Sequence, residues 1–227
     1  MALGQDFLMS HNSLKFWASV AAHPALQSRP GVVFELYNEP HEGGGFTLTP
    51  ECFLDGAGCR FAGYNQAVAA VRETAKATNL LLFAGKGWNF DLPWLLQHWP
   101  TDPLGNCAAS WHPYEFKCRY LSCLNTSAAI TAKYPIFVTE WSPGYPQSDH
   151  SPSKPDLYSD KMQKWAEDMP GTVSLFPWVW NPGGGDEHVN SAASDYTGNA
   201  PTLWGEQYKA WPGPAGGMAG GGIARQQ

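Results

Sequence analysis

Gly31-Val-Val-Phe-Glu-Leu-Tyr-Asn-Glu-Pro-His41 is a short run of β-branched and aromatic residues that stops at a proline. The stretch 32–37 is too short for a helix and has the composition of a buried strand, and Pro40 has no N–H to offer a ladder. The strand therefore ends in an amide, Asn38, and a carboxylate, Glu39. Polar groups at the carboxyl ends of buried parallel strands stand where such sheets keep their active sites, because helices cover the other faces. For one segment alone, a strand followed by a polar turn is the plain alternative. A second segment of the same build weighs against it. In Tyr134-Pro-Ile-Phe-Val-Thr-Glu-Trp141, Ile136, Val138 and Glu140 share a face by two-residue alternation, so a carboxylate again caps the end of an aliphatic strand.

Two strands thus deliver one Glu each. Breaking a glycosidic bond needs two carboxyl groups, one protonated to help the leaving oxygen depart and one ionised to attack or stabilise the sugar cation. Asn38-Glu39-Pro40-His41 after a hydrophobic strand, with Val138-Thr-Glu-Trp141 about a hundred residues later, resembles glycoside hydrolase family 5, the cellulase family. That family carries its two carboxylates on strands four and seven of a (β/α)8 barrel. The resemblance covers nearly the whole chain. It implies an α/β fold, a partial (β/α)8 TIM barrel of strands four to eight with their helices, the first three β/α units missing. It further implies Glu39 as general acid/base, Glu140 as nucleophile of a retaining mechanism, and Asn38 on the 2-hydroxyl of the sugar. The carboxyl separation expected of a retaining pair is about 5 to 5.5 Å.

Between the two Glu strands lies Cys107-Ala-Ala-Ser-Trp-His-Pro-Tyr114, in which Ala108, Ser110, His112 and Tyr114 share a parity. His112 and Tyr114 resemble the His-x-Tyr of the family's sixth strand. There the Tyr hydroxyl bonds the nucleophile and the His sits against the acid/base or the leaving-group site. The run Trp178-Val-Trp-Asn-Pro182 is similar to the family's Trp floor beside the nucleophile. The match selects Trp178, with Trp180 on the same face. The implied activity is that of an endoglucanase cleaving β-1,4-glucan by double displacement, with no cofactor and no metal. A β-mannanase or other β-glycanase is the nearest alternative, and a non-catalytic sugar-binding fragment is the alternative from another class.

The chain also departs from the family pattern. Five strands can be counted, ending near Glu39, Gly85, His112, Glu140 and Trp178. An Arg from strand two that supports the nucleophile and a His from strand three that lines the sugar site are missing, and Arg29, outside any strand, replaces neither. The expectation is an N-terminally truncated chain with impaired catalysis and an open sheet edge prone to self-association.

Composition narrows the partners. A formal net charge of −6 with 15% charged residues leaves no basic patch for nucleic acid or an anionic membrane, whereas a neutral polysaccharide or oligosaccharide is compatible. Eleven Trp and nine Tyr suit either sugar stacking or a large aromatic core. No apolar run approaches the roughly 18 to 20 residues of a membrane span. Met1-Ala-Leu-Gly-Gln-Asp6 lacks a basic region followed by an apolar stretch, so no signal peptide is expected in this chain. The five cysteines fall as two close pairs, Cys52 with Cys59 and Cys118 with Cys123, plus Cys107. The gaps are wider than those of zinc knuckles and favour small-loop disulfides, with Cys107 a buried thiol. Disulfides point to an oxidising compartment, hence to secretion and an extracellular site of action.

Along the chain, helices are expected at 14–22 (capped by Asn12 or Ser13), 64–78, 127–133, 160–167 and 202–211. The second carries a stripe of Ala67, Val68, Val71, Thr74 and Ala75. Gly85-Lys-Gly-Trp88, after the apolar strand 80–85, turns sharply and leaves Trp88 on the rim, to stack on a sugar or to pack inward. The last strand is expected at 173–181. Residues 1–211 read as one catalytic domain and 212–227 as a flexible Gly-rich tail.

Overall fold

The computed structural model describes residues 6–118, 122–142, 157–169, 172–180 and 201–211. The expected loops 142–149 (past Ser142) and 183–188, and the tail 212–227, lie outside these residues. The chain folds as two compact units, residues 1–110 and 111–227.

The first unit begins with α1 (His11–Ala21), which starts three residues before the expected position. Ser10, in extended conformation, occupies the N-cap, and its carbonyl accepts from the Ser13 N–H; Asn12 and Ser13 are therefore inside the first turn rather than capping it. Trp17 anchors the helix. Its indole N–H donates to the Leu36 carbonyl at 2.9 Å and its ring lies against Phe34. That anchoring point lies beside β1 (Val33–Glu35), shorter than the hydrophobic run suggested. β1 pairs in parallel with β2 (Leu80–Ala84), which pairs in parallel with β3 (Cys107–Trp111) from Leu81 opposite Cys107 to Ala84 opposite Ser110.

Between β1 and β2 the long Gly-bearing excursion contains a helix that was not foreseen, α2 (Pro50–Asp55). Its signals are local: Thr49 accepts from the Cys52 N–H, Pro50 opens the first turn, and Gly56 ends it with φ of 70°. Cys52 and Cys59 form a disulfide across it. Helix α3 (Tyr64–Ala69) continues into a π-helical turn, Ala70–Thr74, and stops short of residue 78. The wider turn changes the buried stripe: Ala67, Val68, Val71 and Ala75 are inside as expected, but Thr74 is exposed and Arg72 is buried.

Arg72 organises the amino ends of the strands. Its Nε and one terminal nitrogen grip both oxygens of Asp102 at 2.8 and 2.9 Å, and its remaining N–H groups donate to the carbonyls of Ala77, Asn79 and Asn106. Asn79 in turn donates to the carbonyls of Leu26 and Val32. The residues preceding β1, β2 and β3 are so tied together, which sets the parallel register from below. A four-residue turn, α4 (Lys86–Asn89), and α5 (Leu92–Gln97) follow β2. Cys107 is a buried free thiol, as expected, and burial pushes its pKa up.

In the second unit, Cys118 and Cys123 form the other expected disulfide. It is followed by α6 (Leu124–Thr131), β4 (Ile136–Trp141), α7 (Leu157–Asp168), β5 (Thr172–Pro177) and α8 (Leu203–Ala210). β4 and β5 are parallel with two register shifts. Ile136 and Val138 are fully buried, as the alternation required, among Trp141, Ile130, Met162 and Leu175. Thr202 caps α8, and Tyr208 on that helix donates to the Leu175 carbonyl; burial pushes its pKa up to about 12. Among the described residues no helix is long and apolar enough to cross a membrane.

The Arg72–Asp102 pair yields a prediction. Burial alone would raise the Asp102 carboxyl, but Arg72 and the N–H groups of Leu104 and Asn106 outweigh it and hold the pKa below the usual 3.8. Because the folded value lies below the unfolded one, the stabilisation is fully present above about pH 4 and is lost as pH falls further, through the folded value. Arg72→Ala leaves the buried Asp102 side chain without its counter-ion and should cost about 3 to 5 kcal/mol in urea denaturation at pH 7. The loss should shrink below pH 4; a loss that is the same at pH 7 and pH 3 would contradict this account.

Candidate active site

In the first unit the site grows from the end of β1. Glu35, Tyr37 and Glu39 share a parity, and the chain turns at Glu39, whose φ is 52°, a left-handed conformation that costs a non-glycine residue about 1 to 2 kcal/mol. Glu39 is half-buried and Asn38 is exposed. A cleft of about 420 Å³ opens beside them, lined by Ser13, Phe16, Trp17, Glu35, Tyr37 and Asn38 among others. Next comes His41, 5% exposed, whose Nδ1 lies 2.9 Å from the Glu39 carbonyl oxygen and therefore carries the proton it donates there.

Trp88 does stand on the rim, 42% exposed, but it is also packed. One face of the indole stacks on the His41 ring, centroids 3.6 Å apart and planes 12° from parallel. Phe7 meets the same imidazole edge-on at 5.1 Å. The Trp88 backbone N–H donates to the Pro40 carbonyl at 3.0 Å. Both sequence readings, a rim aromatic and a packed one, thus describe part of this side chain.

Beneath the turn is a polar group that sequence reasoning missed. Glu35 accepts a short hydrogen bond from Ser110, and the buried Asn89 amide donates to Ser110 at 2.6 Å and to Glu35 at 3.5 Å. The available signal was parity: Glu35 lies two and four residues before Tyr37 and Glu39, on the same face of the strand.

The second unit carries the other carboxylate. Glu140 sits near the carboxyl end of β4 with 17% of its side chain exposed, and the Tyr114 hydroxyl donates to its Oε2 at 2.7 Å. His112 is fully buried, with Nδ1 3.6 Å from the same carboxylate oxygen and Nε2 3.0 Å from the Thr139 hydroxyl. The alternation along β3 continues past its last residue, Trp111, so His112 and Tyr114 converge on one carboxylate. The resemblance placed the His against the acid/base or leaving group; within this unit it lies beside Glu140, Thr139 and the Tyr114 ring, among other neighbours. A carboxylate that accepts from a phenol and adjoins an imidazole has its lone pairs oriented for attack or for stabilising a cation.

Trp178 follows β5, and its backbone N–H donates to the Trp141 carbonyl at 2.9 Å, one residue beyond Glu140. Its side chain is 45% exposed. Trp180 is half-buried, with Lys209 5.6 Å from its ring centre and Tyr208 6.4 Å away, so it packs on α8 while Trp178 stays open.

No curated protein matches the chain by sequence. Among solved structures, the chain is similar to a β-glucanase, SdGluc5_26A from Saccharophagus degradans, with a TM-score of 0.62 and 21% identity over 87% of this chain and 58% of that one. It is also similar to the endo-β-1,4-glucanase Xac0029 from Xanthomonas axonopodis pv. citri, with a TM-score of 0.59 and 18% identity over 88% of this chain and 66% of that one. The chain thus spans about 58% of the length of the first of these structures. Identities of this size speak to the fold, an α/β succession of five parallel strands and helices as in part of a (β/α)8 barrel. The sequence profile described as Cellulase (glycosyl hydrolase family 5) matches residues 9–184, well over half of the chain, and on that ground the chain belongs to the cellulase family, glycosyl hydrolase family 5.

Proposed function

We propose that this chain carries the catalytic groups of a secreted, retaining endo-β-1,4-glucanase. The observation that carries the reading is the Glu140 carboxylate, oriented by the Tyr114 hydroxyl at 2.7 Å at the end of β4. In the proposed reaction Glu140 attacks the anomeric carbon while Glu39 gives its proton to the departing glycosidic oxygen. Glu39 then takes a proton from water, which displaces Glu140 and regenerates both groups. Asn38 holds the 2-hydroxyl, Trp178 supports the sugar next to the nucleophile, and Trp88, exposed on the rim, stacks on a further unit.

Glucan as substrate draws support from relatives. The S. degradans β-glucanase has been solved with cellotetraose and XacCel5A with cellopentaose, both neutral oligosaccharides. A net charge of −6 suits a neutral substrate. Two disulfides support an oxidising, extracellular setting. A mannanase would use the same carboxylates, so carboxymethylcellulose, mannan, xylan and mixed-linkage β-glucan offered in parallel decide the polymer.

Release of reducing sugar from carboxymethylcellulose should fall about 10²- to 10⁴-fold in Glu39→Ala and to background in Glu140→Ala. Turnover that survives Glu140→Ala refutes the mechanism, and a folded parent that binds cellotetraose without cleaving it leaves a sugar-binding role.

Tyr114→Phe removes one hydrogen bond to a charged group, worth about 1.5 to 3 kcal/mol, and should lower kcat about 10- to 100-fold while cellotetraose affinity stays the same. An equal loss in affinity and no loss in kcat would place Tyr114 on the substrate instead.

A further inference from the structure

We infer that Asn89 is a positioning residue, holding the Trp88 ring and the backbone of Glu39 through a buried amide that is anchored on Glu35 and Ser110. The inference rests on the glycanase reading for what Glu39 and Trp88 do. The geometry behind it is independent of that reading and lies within the first unit.

Asn89 is 1% exposed and uses both ends of its amide. The oxygen accepts from the Gly85 N–H at 3.2 Å, closing the turn on itself, and the nitrogen donates to Ser110 at 2.6 Å and to Glu35 at 3.5 Å. One side chain therefore fastens the 85–89 turn to β1 and β3 together. The turn needs fastening: Gly87, Trp88 and Asn89 take φ values of 70°, 63° and 56°, three successive residues in a region that only glycine occupies freely. Gly85 is boxed in, with the Asp91 carbonyl oxygen 2.8 Å from where a Cβ would stand.

From the turn the constraint passes to Glu39 by two contacts. The Trp88 N–H bonds the Pro40 carbonyl at 3.0 Å, and the indole lies flat on His41, whose Nδ1 donates to the Glu39 carbonyl at 2.9 Å. Glu39 is itself left-handed, at φ 52°, so its backbone needs neighbours to hold it. Release of Asn89 frees the turn, then the stack, then the Glu39 carbonyl, and the carboxylate loses the orientation on which proton transfer depends.

The experiment separates the two ends of the amide. Asn89→Asp keeps the oxygen that accepts from Gly85 but sets a second carboxylate beside Glu35. The double variant Glu35→Gln/Asn89→Asp exchanges the amide and the carboxylate and restores the pair. Thr49→Ala serves as a structural control, since it removes the cap of α2, a hydrogen bond of the same unit that involves none of these residues. Amide hydrogen exchange at Trp88 and His41 is measured in all four proteins, together with kcat and KM on carboxymethylcellulose. We expect exchange at both amides at least tenfold faster in Asn89→Asp and kcat at least tenfold lower. The double variant should recover both, and Thr49→Ala should leave Trp88 exchange unchanged. Unchanged exchange in Asn89→Asp, or faster exchange with unchanged kcat, or no recovery in the double variant overturns the inference. A parent without turnover on any β-glycan instead overturns the glycanase reading, and is told apart because the exchange data need no substrate.

Discussion

All five N–H donors of the Arg72 guanidinium are engaged, two on the Asp102 carboxylate and three on backbone carbonyls that precede strands or end a helix. Parallel strands have no hairpin to set their register, so their amino ends must be aligned by something else. In the first unit a buried, planar, permanently charged fork does this, together with the Asn79 amide that ties the approaches to β1 and β2. The carboxyl ends inherit that alignment. Glu35 meets Ser110 two strands away because β1, β2 and β3 are held at one level.

The two ends of the first unit's strands divide their duties. At the amino ends polar groups are saturated and buried, which favours stability. At the carboxyl ends, left-handed residues cluster at 39 and at 87–89, a cleft opens beside Asn38, and the Trp88 side chain is partly exposed. Strain and exposed polarity of this kind persist only where neighbouring structure holds them, and they are characteristic of sites that bind or react. In the second unit the same division recurs on a smaller scale. Ile136 and Val138 are sealed in the core, and two residues further along the same face Glu140 meets a phenol and an imidazole.

Much of this was legible from single segments. Two-residue alternation placed Glu140 above Ile136 and Val138, and it put His112 and Tyr114 on one face, where they meet the same carboxylate. Close cysteine spacing was enough to expect both disulfides and a free buried Cys107. Misreadings came where one residue changed the local period. A π turn moved Thr74 out and accompanied the burial of Arg72, a residue four after Val68 that the expected stripe did not include. Helix α1 begins at His11, earlier than expected, with Ser10 as an N-cap whose backbone carbonyl, not its side chain, closes the first turn.

The amino-acid sequence by itself determined which segments form strands and which polar residues stand at or just past their carboxyl ends, because strand composition, proline stops and alternation are properties of a few consecutive positions. It also carried the family pattern, since Asn38-Glu39-Pro40 and Thr139-Glu140-Trp141 are contiguous. Only the tertiary structure decided which of these residues touch. Glu35 with Ser110 are 75 positions apart and Arg72 with Asp102 are 30 apart, and Trp88 lies on His41 only once β1 and β2 are side by side. Contacts of that range depend on strand order and register, and the periodicity of one segment holds no information about the neighbour that another segment will bring to it.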